Sequence, residues 1–404
     1  MNYSAQEVIE YARQADVKFI RLAFCDAYGR QKNIAVMPSE LSRAFDTGIA
    51  FDASAVPGFG GAVRSDLFLH PDPATLTGLP WRPETGRVVR MFCDISHPDG
   101  SPFEADSRGI LRRAVKAAAG YGLRFYFGPE MEFYLFKNGP DGERTDSPCD
   151  NAGYMDIAPD DKGENVRREV CLMLEQMGIQ PEGSHHEEGP GQNEIDFRYS
   201  DPLSAADNSL SFRAVVKTVA AGYGLTADFS PKPLSDHPGS GMHINFSVRS
   251  GDGVDHMPQV IAGIMDKIAD MTLFMNPCRN SYARLGGAKA PGYITWSSEN
   301  RSQLIRIPAA FGEFRRAELR SPDPAANPYI AFALLIYAGL YGVKNGLSLP
   351  ESTDVNLYTA SEDVLDGLKK LPASLYEAQR AARASSFVAG CLPEELTDIY
   401  CSIG

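Results

Sequence analysis

Apolar and polar positions along this chain alternate with the periods of helices and strands in turn. Ser4-Ala5-Gln6-Glu7 is a capping box that opens an amphipathic helix to about Ala15. Val17–Phe24 and Gln31–Val36 alternate at period two on either side of the turn Asp26-Ala27-Tyr28-Gly29 and predict strands. Pro38-Ser39-Glu40 starts a second helix to about Asp46, and Val88–Ile95 reads as a further strand. Between them a Gly-, Pro- and Asp-rich stretch from Phe51 to Glu84 shows little periodicity. The pattern predicts a small α+β unit over residues 1–100, bounded by Pro98-Asp99-Gly100-Ser101-Pro102.

Residues 101–404 form a longer region in which the two periods alternate. Helices are expected over Ser107–Tyr121, Gly163–Met177, Ser209–Ala221, Gln259–Phe274 and Pro328–Val343. Strands are expected over Arg124–Phe136, Glu194–Arg198, Gly241–Val248 and Phe314–Arg320. The last 60 or so residues read as helices joined by polar loops.

Four of these strands share an unusual polar face. In Glu130-Met131-Glu132-Phe133 both carboxylates point the same way, because residues i and i+2 share a face. Glu194-Ile195-Asp196-Phe197 alternates strictly, Met242-His243-Ile244-Asn245-Phe246-Ser247 sets His, Asn and Ser on one face, and Arg316-Ala317-Glu318-Leu319-Arg320 sets Arg, Glu, Arg. A single strand of this kind turns its polar face to water more often than not. Four, rich in Glu and almost free of Lys, suit a shared cleft. If Glu130, Glu132, Glu187, Glu194, Glu318 and His243 converge, five carboxylates cannot all stay ionised unaided. Hard divalent cations, Mg²⁺ or Mn²⁺, two or more per site, are the natural compensation for an oxygen-dominated set with one imidazole. Arg301, Arg306, Arg316 and Arg320 lie in the same part of the chain and suit phosphoryl oxygens.

The formal net charge of −13 excludes a basic nucleic-acid surface but not a nucleotide ligand, which arginines and metals can hold locally. Seven scattered cysteines without a C-x-x-C pair fit reduced thiols better than a disulfide framework. The N-terminus lacks the basic start and apolar run of a signal peptide. The longest apolar stretch, Tyr329–Val343, is about 15 residues, too short for a bilayer, and is read as a buried helix. A cytoplasmic protein without a membrane partner is expected.

The segments Phe127–Phe133, Ser184–Ile195, Gly239-Ser240-Gly241-Met242-His243, Asn280–Leu285 and Glu318–Tyr329 together resemble the type I glutamine synthetases, over about residues 5–400. The resemblance implies an N-terminal β-grasp domain followed by a catalytic domain whose antiparallel strands form a funnel flanked by helices. It implies one metal on Glu132, Glu187 and Glu194, a second on Glu130, His243 and Glu318, and glutamate and phosphate binding by Arg284, Arg301, Arg320 and Gly239. ATP would meet Ser247, Arg306, Arg316 and the backbone near Trp296. Asp52, from a neighbouring subunit, would bind and deprotonate ammonium, with Arg301 and Arg320 also catalytic. The partners implied are glutamate, ATP and ammonia or another amine, in a homo-oligomer of six-membered rings, single or stacked as dodecamers. The activity implied is ATP-dependent ligation of glutamate to ammonia through γ-glutamyl phosphate. The alternatives are a ligase for an alkylamine or polyamine, a ligase for another acidic substrate, or a catalytically weak regulatory protein that binds ATP and metal.

The resemblance fails at the amine end. Lys289, in Gly286-Gly287-Ala288-Lys289-Ala290-Pro291, stands where the family carries a flap glutamate. Ala55 replaces a serine near Asp52, Pro238 replaces an asparagine that contacts glutamate, and Glu188 stands where the family is apolar. Asn356-Leu357-Tyr358 resembles the segment some members adenylylate, and a C-terminal ring-contact extension is expected to be trimmed after Asp398-Ile399-Tyr400.

Overall fold

Two β-sheets with opposite demands on their faces organise the chain. The computed structural model describes residues 3–82, 85–287, 289–312 and 315–404. Glu84, Ala288 and Phe314, each within a segment read above, lie outside the described residues.

Ser4 caps the first helix, Ala5–Gln14, with both bonds of the capping box formed. The first sheet contains β1 (Val17–Cys25), β2 (Gln31–Val36), β3 (Ile49–Asp52), β4 (Asp66–Pro71), β5 (Thr77–Gly78) and β6 (Arg87–Ser96). Its order is β2-β1-β6-β4-β3, with β5 beside β6, and β1 runs parallel to β6. The two central strands are buried on both faces. Ile20, Leu22, Val89, Met91 and Ile95 fill this sheet's own core, whereas Ala23, Cys25 and Phe92 belong to the larger core of the rest of the chain. Small residues on the second face of β1 let the larger unit approach closely.

Between the sheets lies a buried charge network. Arg108, on the helix Ser107–Gly120, pairs with Asp94 at 2.8 Å and Asp72 at 2.9 Å from the first sheet's region. Its Nη2 also meets Asp207 at 3.1 Å on the helix Pro202–Gly222, and Tyr329 donates to Asp207 at 2.5 Å.

The second sheet is built around β7 (Leu123–Asn138). It continues with β8 (Arg144–Pro148), β9 (Pro181–His186), β10 (Gln192–Phe197), β11 (Leu225–Asp228), β12 (Met242–Ser250), β13 (Trp296–Ser298), β14 (Ile305–Ile307) and β15 (Ala317–Leu319). The order is β13-β14-β15-β12-β7-β10-β9, with β11 and β8 also on β7. Pairing is antiparallel, as expected of the funnel, with β13 and β14 at the edge running parallel. Met131 and Phe133 of β7, Ile195 of β10, Met242, Ile244 and Phe246 of β12, and Ala317 and Leu319 of β15 are buried in one core. Their polar neighbours therefore share the opposite face. The apolar helix Pro328–Lys344 is buried along almost its whole length beneath that core.

The structure differs from the sequence reading in extent more than in kind. The stretch Phe51–Glu84 holds β4, whose Leu67 and Leu69 alternate into the core, and the short β5. The helix read from Ser209 begins at Pro202, where Asp201 accepts from Ser204 N and proline takes the first turn. The last strand covers only Ala317–Leu319. All seven cysteines are free thiols, and among the described residues no helix is long and apolar enough to cross a membrane.

Candidate active site

Register alone brings the carboxylates together. Glu194 on β10 lies opposite Glu132 on β7, His243 on β12 opposite Glu130, and Glu318 on β15 opposite Asn245. Glu130, His243 and Glu318 form one group whose ligand atoms lie within 4.8 Å of one another, the set expected for one metal. Glu194 joins Glu132 and His243 in a second group, and Glu187 and His185 in a third. The second expected set therefore gathers around Glu194, with His185 as an addition the sequence did not suggest.

The electrostatics are those of crowded, buried anions. Burial, with Glu318 and Asp196 close by, pushes the Glu130 carboxyl up to about 8. Burial and Glu187 push Glu132 up to about 7. Glu194 is driven well above the carboxylate range by burial and then by Asp196. Burial, then the charges of Arg320 and Arg284, hold His243 well below its usual value, so its contacts with Glu318 and Glu130 at 3.7 and 3.9 Å are not ion pairs. A neutral imidazole and a crowd of carboxylates is a donor set that fits hard divalent cations.

A titration follows from these directions. Adding Mg²⁺ or Mn²⁺ at pH 7.5 should release about one to two protons per site, because protonated carboxyls must ionise to bind. Calorimetry in buffers of different ionisation enthalpy measures this; identical heats would contradict it. A carboxyl raised above its unfolded value stabilises the fold fully below that value, near 4.5, and the contribution is lost as pH rises through its folded value. Without metal, stability from Glu132 and Glu130 should thus decline from about pH 4.5 and level off above about pH 7 and 8 respectively, and metal should restore it.

Arginines close the far side. Glu318, 1% exposed, accepts from Arg306 Nη1 at 2.7 Å and Arg320 Nη1 at 2.6 Å. Arg284 is buried and pinned by donating to the carbonyls of Ser321 at 2.7 Å and Arg320 at 3.1 Å. Gly239 packs against Arg284, and a Cβ there would sit 2.5 Å from the Pro231 carbonyl. At Gly241 a Cβ would meet His243 Nε2 at 2.6 Å and Arg284 Nη2 at 2.8 Å, so only glycine leaves room for both side chains. Gly241 also donates its N–H to Glu132 at 2.8 Å. The Pro238 carbonyl accepts from Tyr134 at 2.6 Å.

Beside the cluster lies a cavity of about 890 Å³, lined among others by Ser247, Trp296, Phe311 and Arg316. A smaller neighbour shares Ser247 and Arg316 and reaches Glu130 and Asn245. The large volume suits a nucleotide-sized ligand. Arg306, expected at the nucleotide, donates to Glu318 at 2.7 Å. Arg316 donates to Asn245 at 2.8 Å, and Asn245 donates to Glu130 at 2.6 Å, linking cavity to cluster.

The rim was less legible. Tyr154 stacks edge-on against His185, and its hydroxyl is pushed up by burial and by Glu187. It sits in an irregular loop without any periodic signal. Tyr358 donates to the Arg301 carbonyl at 3.1 Å, and Arg301 is exposed. Asp52 is exposed on a turn of the first sheet, where it accepts from Ser54 N at 2.9 Å and Ser54 Oγ at 2.6 Å. Among the described residues its hydrogen bonds go to Ser54 and Ser65, not to the cluster.

Sequence profiles place this arrangement in a class. The chain matches the glutamine synthetase β-grasp domain over residues 16–98 and the glutamine synthetase catalytic domain over residues 104–403. It is 44% identical over 391 residues to a glutamine synthetase of Clostridium saccharobutylicum, covering 93% of this chain and 88% of that one. It is also 44% identical over 410 residues to a glutamine synthetase of Methanosarcina mazei, covering 98% and 92%. A solved GmaS–ADP complex superposes with a TM-score of 0.88 at 29% identity, over 99% of this chain and 94% of that one. The fold and its carboxylate funnel are those of a carbon–nitrogen ligase. The chain belongs to the glutamine synthetase family.

Proposed function

We propose that this protein is an ATP-dependent ligase that phosphorylates the γ-carboxylate of glutamate and condenses the acyl phosphate with ammonia to give glutamine. The observation that carries this reading is the register-matched carboxylate cluster, with paired arginines on one side and a nucleotide-sized cavity on the other. Divalent cations on Glu130, His243 and Glu318, and on Glu132, Glu187 and Glu194, would supply charge neutralisation for the phosphates. The residues themselves position the reactants. Arg284, Arg301 and Arg320 would hold the glutamate carboxylate and the transferred phosphoryl group, and Gly239 leaves room beside Arg284. Ser247 and Arg316 would face the nucleotide, while Arg306 fixes Glu318 in place. The structurally similar GmaS was solved as a complex with ADP, which supports a nucleotide as a ligand here too. Asp52 would serve the amine from a neighbouring subunit of a homo-oligomeric ring, consistent with its exposure and its capped, preset turn.

A second reading, with a primary alkylamine as acceptor, is favoured by one contact. Lys289 pairs with Glu188 at the rim, so the amine end carries a cation as well as a carboxylate. Phosphate release with ATP, Mg²⁺, glutamate and a panel of amines separates the readings. Glutamine synthesis predicts turnover with ammonium, whereas turnover confined to alkylamines or polyamines would transfer the assignment. Absence of turnover with every acceptor would overturn both.

A further inference from the structure

The glutamine-forming reading gives the ion pair at the rim no role. Glu188 directly follows Glu187, to whose Oε2 it donates its backbone N–H at 3.2 Å. Its Oε1 accepts from Lys289 Nζ at 2.7 Å. Lys289 arrives from the loop after the short helix Ser281–Arg284, which is closed by the Gly287 N–H donating to the Arg284 carbonyl at 3.1 Å. Its own backbone lies at φ +68°, a conformation few non-glycine residues adopt.

The pair joins the segment that carries Glu187 to the segment that carries Arg284. Tyr154 feels the charge of Glu188 together with those of Glu187, Arg301 and Glu194. Tyr358 feels Lys289 together with Arg320 and Arg284. The Lys289 and Glu188 side chains are 56% and 40% exposed, so solvent and small solutes reach both, and such a pair contributes little to folding. A lysine head group is a primary alkylammonium on a flexible stem. Its seat on Glu188 therefore shows what that carboxylate holds at this place: a protonated amine, at charge-assisted hydrogen-bond distance.

The geometry points to Glu188 as the carboxylate that seats the amine acceptor in its ammonium form, with Lys289 occupying that seat until the acceptor displaces it. The inference rests on the ligase reading and deepens it: it assigns the acceptor's cationic nitrogen a partner on this chain. A carboxylate has two oxygens, so ammonium or the head of a primary alkylamine fits the same place. An uncharged nucleophile gains nothing from it.

The test compares wild type, Glu188→Gln and Lys289→Met by initial rates of phosphate release with ATP, Mg²⁺ and glutamate. The acceptors are ammonium, methylamine and hydroxylamine, the last uncharged at neutral pH. Glu188→Gln should raise KM for ammonium and methylamine roughly tenfold or more, since a hydrogen bond to a charged group is lost. KM for glutamate should hold, and the loss with hydroxylamine should be much smaller. Lys289→Met should lower KM for the charged amines by freeing the seat. Unchanged KM for both charged amines in Glu188→Gln, or an equal loss with hydroxylamine, overturns the assignment of Glu188. An unchanged or raised KM in Lys289→Met overturns the placeholder role. Wild type releasing no phosphate with any of the three overturns the ligase reading, and this inference with it.

Discussion

Replacing Glu318 with alanine should lower turnover by roughly 10³-fold or more while leaving the protein folded. This one carboxylate accepts from Arg306 at 2.7 Å and Arg320 at 2.6 Å, and completes a potential metal group with Glu130 and His243. Its removal takes a ligand from that group and leaves two guanidinium groups close together without their shared anion. Losing one preorganised charge partner of a transition state costs about 10²–10³-fold in kcat, and a disturbed ligand shell adds a further 10–100-fold in metal affinity. Glu318→Gln should recover little, because the amide is neutral and can accept on one oxygen only. Phosphate release at saturating substrates, with metal affinity by calorimetry and the melting curve as a folding control, measures the effect. Activity within tenfold of wild type would place the chemistry elsewhere.

The second large effect is on stability. Arg108→Met should cost about 3–5 kcal/mol, because it strips the buried Asp207 and the neighbouring Asp72 and Asp94 of their shared cation. Arg112 touches the same Asp72 and Asp94 one helical turn away, yet its side chain is 46% exposed. Arg112→Met should cost only about 0–1 kcal/mol, since solvent already screens that pair. Urea unfolding of the two variants side by side provides the contrast. Equal midpoints would show that the network is energetically indifferent to burial.

The carboxylate cluster was readable because strand geometry turns sequence spacing into spatial direction. In β7, β10, β12 and β15 the alternation that sends Met131, Ile195, Ile244 and Leu319 inward also fixes the facing of Glu130, Glu132, Glu194, His243 and Glu318. No such rule reaches β9, Pro181–His186, whose Gly, Ser and His residues carry no apolar alternation and are placed by pairing with β10. His185 went unread for that reason, and Tyr154 because it lies outside any regular element. The strand β4 was hidden in a Gly- and Pro-rich neighbourhood although Leu67 and Leu69 alternate. The start of the long helix at Pro202 had a legible signal, Asp201-Pro202, that apolar periodicity alone overlooks. Glu188 and Lys289 were visible as departures from the family, but their pairing is a long-range contact that neither position announces.

The long central strand β7 carries Glu130 and Glu132 between the core residues Met131 and Phe133, and is paired along its length with β12, β10, β11 and β8. A one-residue slip there would turn both carboxylates inward and two large apolar side chains outward. Deletion and insertion are therefore barred from the carboxylate cluster by the same geometry that folds the sheet. Glu188, Lys289 and Tyr154 hang on connecting segments and owe the sheet almost nothing. The two ends are thus held by different means: the carboxylates tolerate no shift of register, while the rim can change residue by residue without disturbing the sheet.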